Sequence, residues 1–282
     1  MDVMNMLPIH SQEEVNPEKP EDYIDEEGLL RCGVCGERKQ YRIRMPGWDD
    51  KERIVPVVCA CIRKEQEERE KAEEHRQTME RIQRLKHSSM MASKFRDISF
   101  DQYEVIPENR GVLKLARKYV DTFPEMEKRN QGLLLYGTVG TGKSFTAACI
   151  ANALLDRQIS VVMTSFVKVL QDIRGVEDES QYMAILNSPR LLIIDDLGAE
   201  RNTDYALEKV YNVIDSRVRT NKPLILTTNL TLDEMMEVGD IRYQRIYDRI
   251  FEVCYPVEMN WKSFRRRTAA ERFSEMQKLM EG

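Results

Sequence analysis

The chain has 282 residues, of which 41% are apolar and 32% are charged, and its formal net charge is −5. No apolar run reaches the roughly 18 residues of a membrane span, and the N-terminus lacks the basic start and apolar stretch of a signal peptide. This excludes an integral membrane protein, so we expect a cytoplasmic protein of about two domains. The acidity does not exclude nucleic acid, because residues 31–64 carry nine bases against four acids.

Six cysteines divide into two sets. Cys149 and Cys254 stand alone in apolar stretches and are expected to be small core residues. The other four form two close pairs that suit a tetrahedral, structural Zn²⁺ site in a reducing compartment: Cys32, Cys35, Cys59 and Cys61. Strand-like segments at 39–44 and 54–58 lie between the pairs and favour a zinc-ribbon-like domain. The alternative is four free thiols in an irregular loop.

A charged segment follows the last cysteine pair. Residues 62–86 are a run of Glu, Lys, Arg and Gln that predicts a solvated helix, and its weak apolar stripe favours a spacer over a coiled-coil partner. We therefore divide the chain into three parts. Residues 1–64 form an acidic N-terminal segment and the zinc-binding domain, residues 65–94 form a helical spacer and linker, and residues 95–282 form a larger domain.

From residue 95 onward, strand-like and helical segments alternate. The predicted strands lie at 132–136, 159–163, 190–195 and 223–228. The predicted helices lie at 110–129, 143–155, 166–174 and 203–219, with more helix between 231 and 250. Strands separated by helices imply a central parallel sheet flanked by helices, which is an α/β fold.

The first of these strands ends in a glycine-rich loop, and a helix follows the loop. The loop reads Gly137-Thr138-Val139-Gly140-Thr141-Gly142-Lys143-Ser144, a complete Walker A phosphate loop in strand–loop–helix context. Its glycines permit a tight turn whose N–H groups surround phosphates. Lys143 is expected to reach the β- and γ-phosphates of a nucleoside triphosphate, and Ser144 is expected to ligate Mg²⁺.

Polar side chains follow two later strands. Asp195 and Asp196 end a buried strand about 50 residues after the loop; Asp195 is expected to hold Mg²⁺ through water, and Asp196 to orient or deprotonate the attacking water. Asn229 ends the next strand, where it reaches the γ-phosphate or the water, or is a turn residue. Arg245 and Arg249 share one helical face, which by itself fits a surface ion-pair helix.

Taken in order, these motifs resemble the AAA+ helicase loaders of the DnaC and DnaI type and their IstB transposase-helper relatives. The similarity covers about residues 95–268, and the cysteine-bearing part also looks like loaders of phage or Firmicute type. The motifs that carry it are the phosphate loop, Ile194-Asp195-Asp196-Leu197-Gly198, Thr227-Thr228-Asn229, Arg245-Ile246-Tyr247-Asp248-Arg249-Ile250 and Asn260-Trp261-Lys262-Ser263-Phe264-Arg265.

The resemblance implies an AAA+ P-loop NTPase fold that uses ATP. It makes Asn229 the sensor-1 residue and Arg249 an arginine finger that contacts ATP bound by a neighbouring subunit, which ties turnover to self-association through the ATPase domain. Two departures from the wider AAA+ pattern stand out. Asp195-Asp196 replaces the commoner Asp-Glu, and we expect no helical lid domain after the sheet.

The resemblance also suggests contacts with single-stranded DNA. In such loaders DNA runs along a helical insertion after the second strand, where Phe166 would stack on a base and Lys168 would pair with phosphate. The alternative is an ordinary amphipathic helix with Phe166 in the core. Arg265, in the C-terminal motif, is expected either to sense nucleotide or to touch nucleic acid.

The leading hypothesis is an ATP-controlled loader that binds a hexameric DnaB-type replicative helicase and delivers it onto single-stranded DNA. Hydrolysis of ATP would then release the loader. An IstB-like helper of a DNA transposase is the alternative within the same fold. A small-molecule P-loop kinase and a non-catalytic scaffold are weaker alternatives from other classes.

Overall fold

The computed structural model describes residues 19–44, 52–199 and 203–281. The chain splits into two compact units, Met1–Met79 and Glu80–Gly282. The acidic N-terminal segment lies mostly outside the described residues, and the limits that we set after residues 64 and 94 stay predictions. None of the helices in the described part is long and apolar enough to cross a membrane.

The described part of the first unit contains two antiparallel pairs of short strands, joined by a buried ion pair. The strands are β1 (Tyr23–Ile24) with β2 (Leu30–Arg31), and β3 (Gln40–Arg44) with β4 (Glu52–Pro56). Lys39 is fully buried and its ammonium pairs with Asp22, whose side chain is also enclosed. Because an unpaired buried charge is costly, this pair fixes residues 19–22 against β3.

A long helix, α1 (Ala60–Ser88), follows the second cysteine pair. Almost all of its side chains are exposed to solvent, and Ile62 is the one buried residue that the structure describes in this helix. Ion pairs along its surface, such as Glu65 with Arg69, replace tertiary packing as local support. The solvated helix predicted at 62–86 is therefore confirmed.

The second unit is organised around a parallel sheet. In the described residues its strands are β5 (Gly132–Tyr136), β6 (Val161–Ser165), β7 (Leu191–Leu197), β8 (Leu224–Thr228) and β9 (Cys254–Glu258). These five strands follow the order β6-β7-β8-β5-β9, and all neighbouring pairs run parallel. β9, at the edge beside β5, was not predicted from the sequence.

Helices cover both faces of this sheet. They are α2 (Arg110–Asp121), α3 (Phe123–Lys128), α4 (Lys143–Asp156), α5 (Phe166–Gly175), α6 (Glu179–Asn187), α7 (Asp204–Arg219), α8 (Leu232–Met236), α9 (Ile241–Val253) and α10 (Phe264–Glu281). Successive strand residues point to opposite faces, so Leu133 packs in the core under α2 and α4, and Leu134 packs in the core under α5, α7 and α9. The predicted α/β fold is confirmed.

One predicted helix is wrong in its extent. The sequence suggested a single helix at 110–129, whereas the structure breaks it at Thr122, between α2 and α3. Pro124 causes the break, because it has no N–H to donate to the preceding turn and restricts the residue before it. Both halves still face the core, through Tyr119, Val120 and Phe123.

A fully buried arginine ties the loops that lead into β7 and β8. The Arg217 guanidinium on α7 donates to the backbone carbonyls of Pro189 (3.0 Å), Arg190 (3.1 Å) and Pro223 (3.0 Å). Burial lowers the pKa of Arg217 to about 10. By donating to carbonyls that precede both strands, Arg217 fixes the amino ends of β7 and β8 relative to each other.

Candidate nucleotide site and cysteine cluster

The glycine-rich loop, residues 137–144, connects β5 to α4 at the carboxyl edge of the sheet. Gly137, Gly140 and Gly142 have φ angles of +123°, +85° and +93°, which residues with a Cβ rarely adopt. A Cβ at Gly140 would also overlap the Ser263 hydroxyl. The loop therefore needs glycine for its turn and for the close approach of the segment that precedes α10.

Lys143 lies at the start of α4, with its ammonium folded into the loop. Its Nζ donates to the carbonyls of Gly137 (2.9 Å) and Thr138 (2.8 Å). Burial lowers the pKa of Lys143, and the nearby carboxylates of Asp196 and Asp195 oppose that shift. The arrangement presents a fixed cation beside N–H groups of a helix N-terminus, which is an anion-binding geometry.

The two aspartates lie at the end of β7, where the strand departs from regular pairing. Its register with β8 shifts between Ile194 and Leu197, and Asp196 has a left-handed φ of +63°. Asn229 donates from Nδ2 to Asp196 Oδ1 (3.1 Å). The structure therefore brings the predicted residues Asp195, Asp196 and Asn229 to one edge, beside the phosphate loop.

Thr227 connects the two aspartates, a role that the sequence did not reveal. Its hydroxyl donates to Asp195 Oδ1 (2.6 Å) and accepts the backbone N–H of Asp196 (2.8 Å). Thr227 is 1% exposed, so these bonds are shielded from water. The sequence signal for this contact was the position of Thr227, two residues before Asn229. In a parallel pair of strands, a hydroxyl at the end of β8 lies beside the end of β7.

The pocket around these groups has a volume of about 680 Å³, which suits a nucleotide. The segment after β9 forms one of its walls: Phe264 N–H donates to Gly140 O (3.0 Å), and Arg265 lines the pocket with Lys143. The sequence left two roles for Arg265, contact with nucleotide or with nucleic acid. Its position in the pocket lining fits contact with nucleotide.

A second wall is formed by residues 93–104, which we call the strap. Lys94, Phe95, Gln102, Tyr103 and Glu104 all line the pocket. Tyr103 donates its hydroxyl to Thr146 Oγ1 on α4 (3.0 Å), and Thr146 in turn donates to Gly142 O (3.0 Å). Burial raises the pKa of Tyr103, so its hydroxyl stays protonated at neutral pH and remains a donor.

The two arginines of α9 lie outside the lining of this pocket. Arg249 contacts Asp215 (Nε to Oδ1, 3.1 Å) and Glu252 (Nη1 to Oε2, 2.9 Å), and its side chain is 37% exposed. Arg245 stacks on the ring of Tyr211 at 4.8 Å. The structure therefore does not bring Arg249 to the nucleotide site of its own chain.

The suggested DNA contact at Phe166 is wrong. Phe166 is fully buried in the core between α5 and the sheet, because it follows the N-cap Ser165 and is the first residue of α5 on the inward face. The core alternative is the correct one. Lys168 is exposed on α5 and pairs with Asp172 (3.3 Å).

The four clustered cysteines meet in the first unit. Their sulfur atoms all lie within 4.8 Å of one another, with Cys32 to Cys61 at 3.3 Å and Cys59 to Cys61 at 3.7 Å. Four thiolates around Zn²⁺, with bonds of about 2.3 Å, would be separated by about 3.8 Å. The donor set and its spacing therefore fit a tetrahedral zinc site.

The fold and the nucleotide site together define the class of protein. Strand β8 lies between the strand that carries the phosphate loop and the strand that carries the aspartates, and polar residues from all three meet at one edge. The protein is a P-loop ATPase of the AAA+ class.

Comparison with known families places the chain more narrowly. The model of the IstB-like ATP binding protein family matches residues 62–272, so the chain belongs to that family. It is 27% identical to the replicative helicase loader DnaC of Escherichia coli over 200 residues, 68% of this chain and 79% of DnaC. It is 24% identical to the phage-like element PBSX protein XkdC of Bacillus subtilis over 230 residues, 77% of this chain and 78% of XkdC.

Solved structures of related proteins show the same fold. A crystal structure of DnaI matches with a TM-score of 0.53 and 22% identity, over 61% of this chain and 93% of that one. A crystal structure of the DnaC helicase loader matches with a TM-score of 0.51 and 21% identity, over 60% of this chain and 99% of that one.

Thr227→Val should slow ATP hydrolysis about tenfold to a hundredfold, because it keeps the side-chain shape but removes the hydroxyl that aligns both aspartates. Thr227→Ser retains that hydroxyl and should stay within about threefold of the wild type. Steady-state turnover, with Mg²⁺ varied, checks this, and thermal unfolding confirms that both variants fold. If Thr227→Val hydrolysed ATP at the wild-type rate, the aspartates would not need the hydrogen bonds of the Thr227 hydroxyl.

Proposed function

We propose that this protein is an ATP-controlled loader of a hexameric DnaB-type replicative helicase. The observation that supports it most is the likeness to DnaC in sequence together with the likeness to DnaI and DnaC in fold. An intact nucleotide site accompanies that likeness, so binding and turnover of ATP can control the exchange of partners. Single-stranded DNA is the proposed site of delivery.

The site residues divide the work on ATP. The N–H groups of residues 137–144 and the Lys143 ammonium bind the phosphates. Ser144 and Asp195 offer a hydroxyl and a carboxylate oxygen, which are ligands suited to Mg²⁺, and this ion would neutralise phosphate charge. Asp196 accepts a hydrogen bond from the attacking water, and Asn229 holds Asp196 for that task.

We assign Arg249 to the neighbouring subunit's ATP. The guanidinium lies outside the pocket of its own chain and is partly exposed, as a group acting across a subunit interface must be. Asp215 and Glu252 hold it in place until the neighbour binds. Turnover then depends on self-association, because an arginine finger stabilises the charge of the transferring phosphoryl group.

The first unit is the proposed contact for the helicase, with Zn²⁺ holding its cysteine cluster. A structural Zn²⁺ would supply folding energy to a unit with few buried apolar residues.

On α5 of the second unit, Lys168 remains a proposed contact for the phosphates of single-stranded DNA.

The loader proposal predicts stable capture of a replicative helicase. Tagged protein, loaded with a slowly hydrolysed ATP analogue, should retain a DnaB-type helicase from the cognate cell, identified by mass spectrometry. The purified pair should then transfer helicase onto circular single-stranded DNA, and Asp196→Asn should bind helicase but fail to release it. A transposase in place of the helicase would favour the IstB-like helper function, and a phosphorylated small molecule in the reaction would favour a kinase.

Arg249→Ala should lower ATP turnover about 10³-fold without weakening ATP binding, because it removes charge stabilisation supplied from outside the pocket. Mixing it with Asp196→Asn should restore activity at about a quarter of the interfaces, where an intact site meets an intact arginine. Arg245→Ala, one helical turn away, is the matched control and should remain active. No recovery at any mixing ratio would contradict action between subunits.

The cysteine cluster should bind about one Zn²⁺ per chain in protein purified without added metal. Cys59→Ser should abolish this, because a hydroxyl replaces a buried thiolate ligand, whereas Cys149→Ala in α4 should retain it. Elemental analysis measures the metal, and circular dichroism with a chelator measures its contribution to folding. A metal-free chain with an unchanged spectrum would support the free-thiol alternative.

A further inference from the structure

A buried amide on α4 holds the strap against the helix that carries the phosphate loop. Asn152 is 4% exposed, and its Nδ2 donates to the backbone carbonyls of Phe95 (2.8 Å) and Ile98 (2.7 Å). Both partners are acceptors, so only the NH₂ side of the amide can face them. The orientation of Asn152 is therefore fixed by its surroundings.

The strap depends on such ties because its backbone has little regular structure. It consists of two short 3₁₀ turns, Ser93–Phe95 and Phe100–Gln102, with extended residues around them. Phe95 and Ile98 pack their side chains against the core, and both of their carbonyls accept from Asn152 on α4, while Phe95 O also accepts the Ile98 N–H at 3.4 Å. Without Asn152 both carbonyls lose their hydrogen bond to α4.

The strap lines the same pocket as the phosphate-binding groups but contributes none of those groups. The phosphate loop, Asp195 and Arg265 line the pocket together with Phe95, Gln102 and Tyr103 of the strap. A nucleoside triphosphate bound by its phosphates would therefore present its base and ribose to the strap. Asn152 lies about 12 Å along α4 from Ser144. The same helix therefore sets the spacing between the phosphate loop and the strap.

We propose that Asn152 is a positioning residue for the nucleoside half of ATP. It touches no nucleotide, but it fixes the strap at the distance from the phosphate loop that lets base and phosphates bind together. The affinity that the base adds to the affinity of the phosphates depends on this amide. The inference rests on the ATPase site alone and is independent of the helicase-loading proposal.

The test compares ATP with inorganic tripolyphosphate, which has the phosphates without the nucleoside. In Asn152→Leu, which is similar in size but lacks both donors, the Kd for Mg-ATP should rise about tenfold, whereas the Kd for tripolyphosphate should stay within about twofold. The KM for ATP should rise in parallel while kcat at saturation is kept, since the catalytic groups are untouched. Calorimetry and steady-state kinetics supply these values.

Two further variants make the result decisive. Asn187→Leu removes another partly buried amide, on α6 and outside the pocket lining, and should change neither Kd. Asn152→Ser keeps one donor, should give an intermediate rise for ATP, and replaces Asn152→Leu if that variant does not fold. Equal weakening of ATP and tripolyphosphate, or no change in either, would overturn the proposal.

Discussion

Parallel strands place all their carboxyl ends at one edge of a sheet, and the chemistry of this protein depends on that constraint. Strand β5 delivers the phosphate loop, β7 delivers Asp195 and Asp196, β8 delivers Thr227 and Asn229, and β9 leads to Arg265. These residues are far apart in sequence, yet each lies at or beyond the carboxyl end of its own strand. The site therefore follows from topology, and side-chain hydrogen bonds refine it.

The pair β7 and β8 is fixed at both ends, by different means. At the amino ends, the buried Arg217 guanidinium binds carbonyls from both preceding loops. At the carboxyl ends, Thr227 binds the aspartates and Thr228 donates to Leu197 O (2.8 Å). A strand held at both ends cannot slide relative to its neighbour, which matters because a register shift would move Asp195 away from Ser144. The positions of the candidate catalytic groups thus depend in part on a residue at the opposite edge of the sheet.

The sequence predicted what short-range patterns encode. The phosphate loop, the apolar strands and the aspartate pair are each defined by neighbours in the chain, so their positions were predicted correctly. The contacts of Thr227, the strap and Asn152 join residues more than 30 positions apart, and no local pattern marks them. Phe166 shows the same limit, because a helix-starting aromatic residue looks alike in sequence whether it faces the core or a ligand. Strand β9 was missed because Pro256 interrupts a short strand at the sheet edge, where a missing N–H is tolerated.

The use of Asp at position 196, where many AAA+ proteins have Glu, has a structural reason in this chain. The bulge in β7 gives Asp196 a φ of +63°, a backbone conformation that Asp adopts more readily than longer side chains, since its short carboxylate bonds locally. The side chain is also held by Asn229 at Oδ1, which leaves Oδ2 for the attacking water in the mechanism that we propose. The left-handed backbone at the bulge and the Asn229 amide together set the orientation of this short side chain. Thr227 accepts the backbone N–H of Asp196 while Asn229 binds its carboxylate, so the backbone and the side chain of this one residue are fixed by two neighbouring residues of the same strand end.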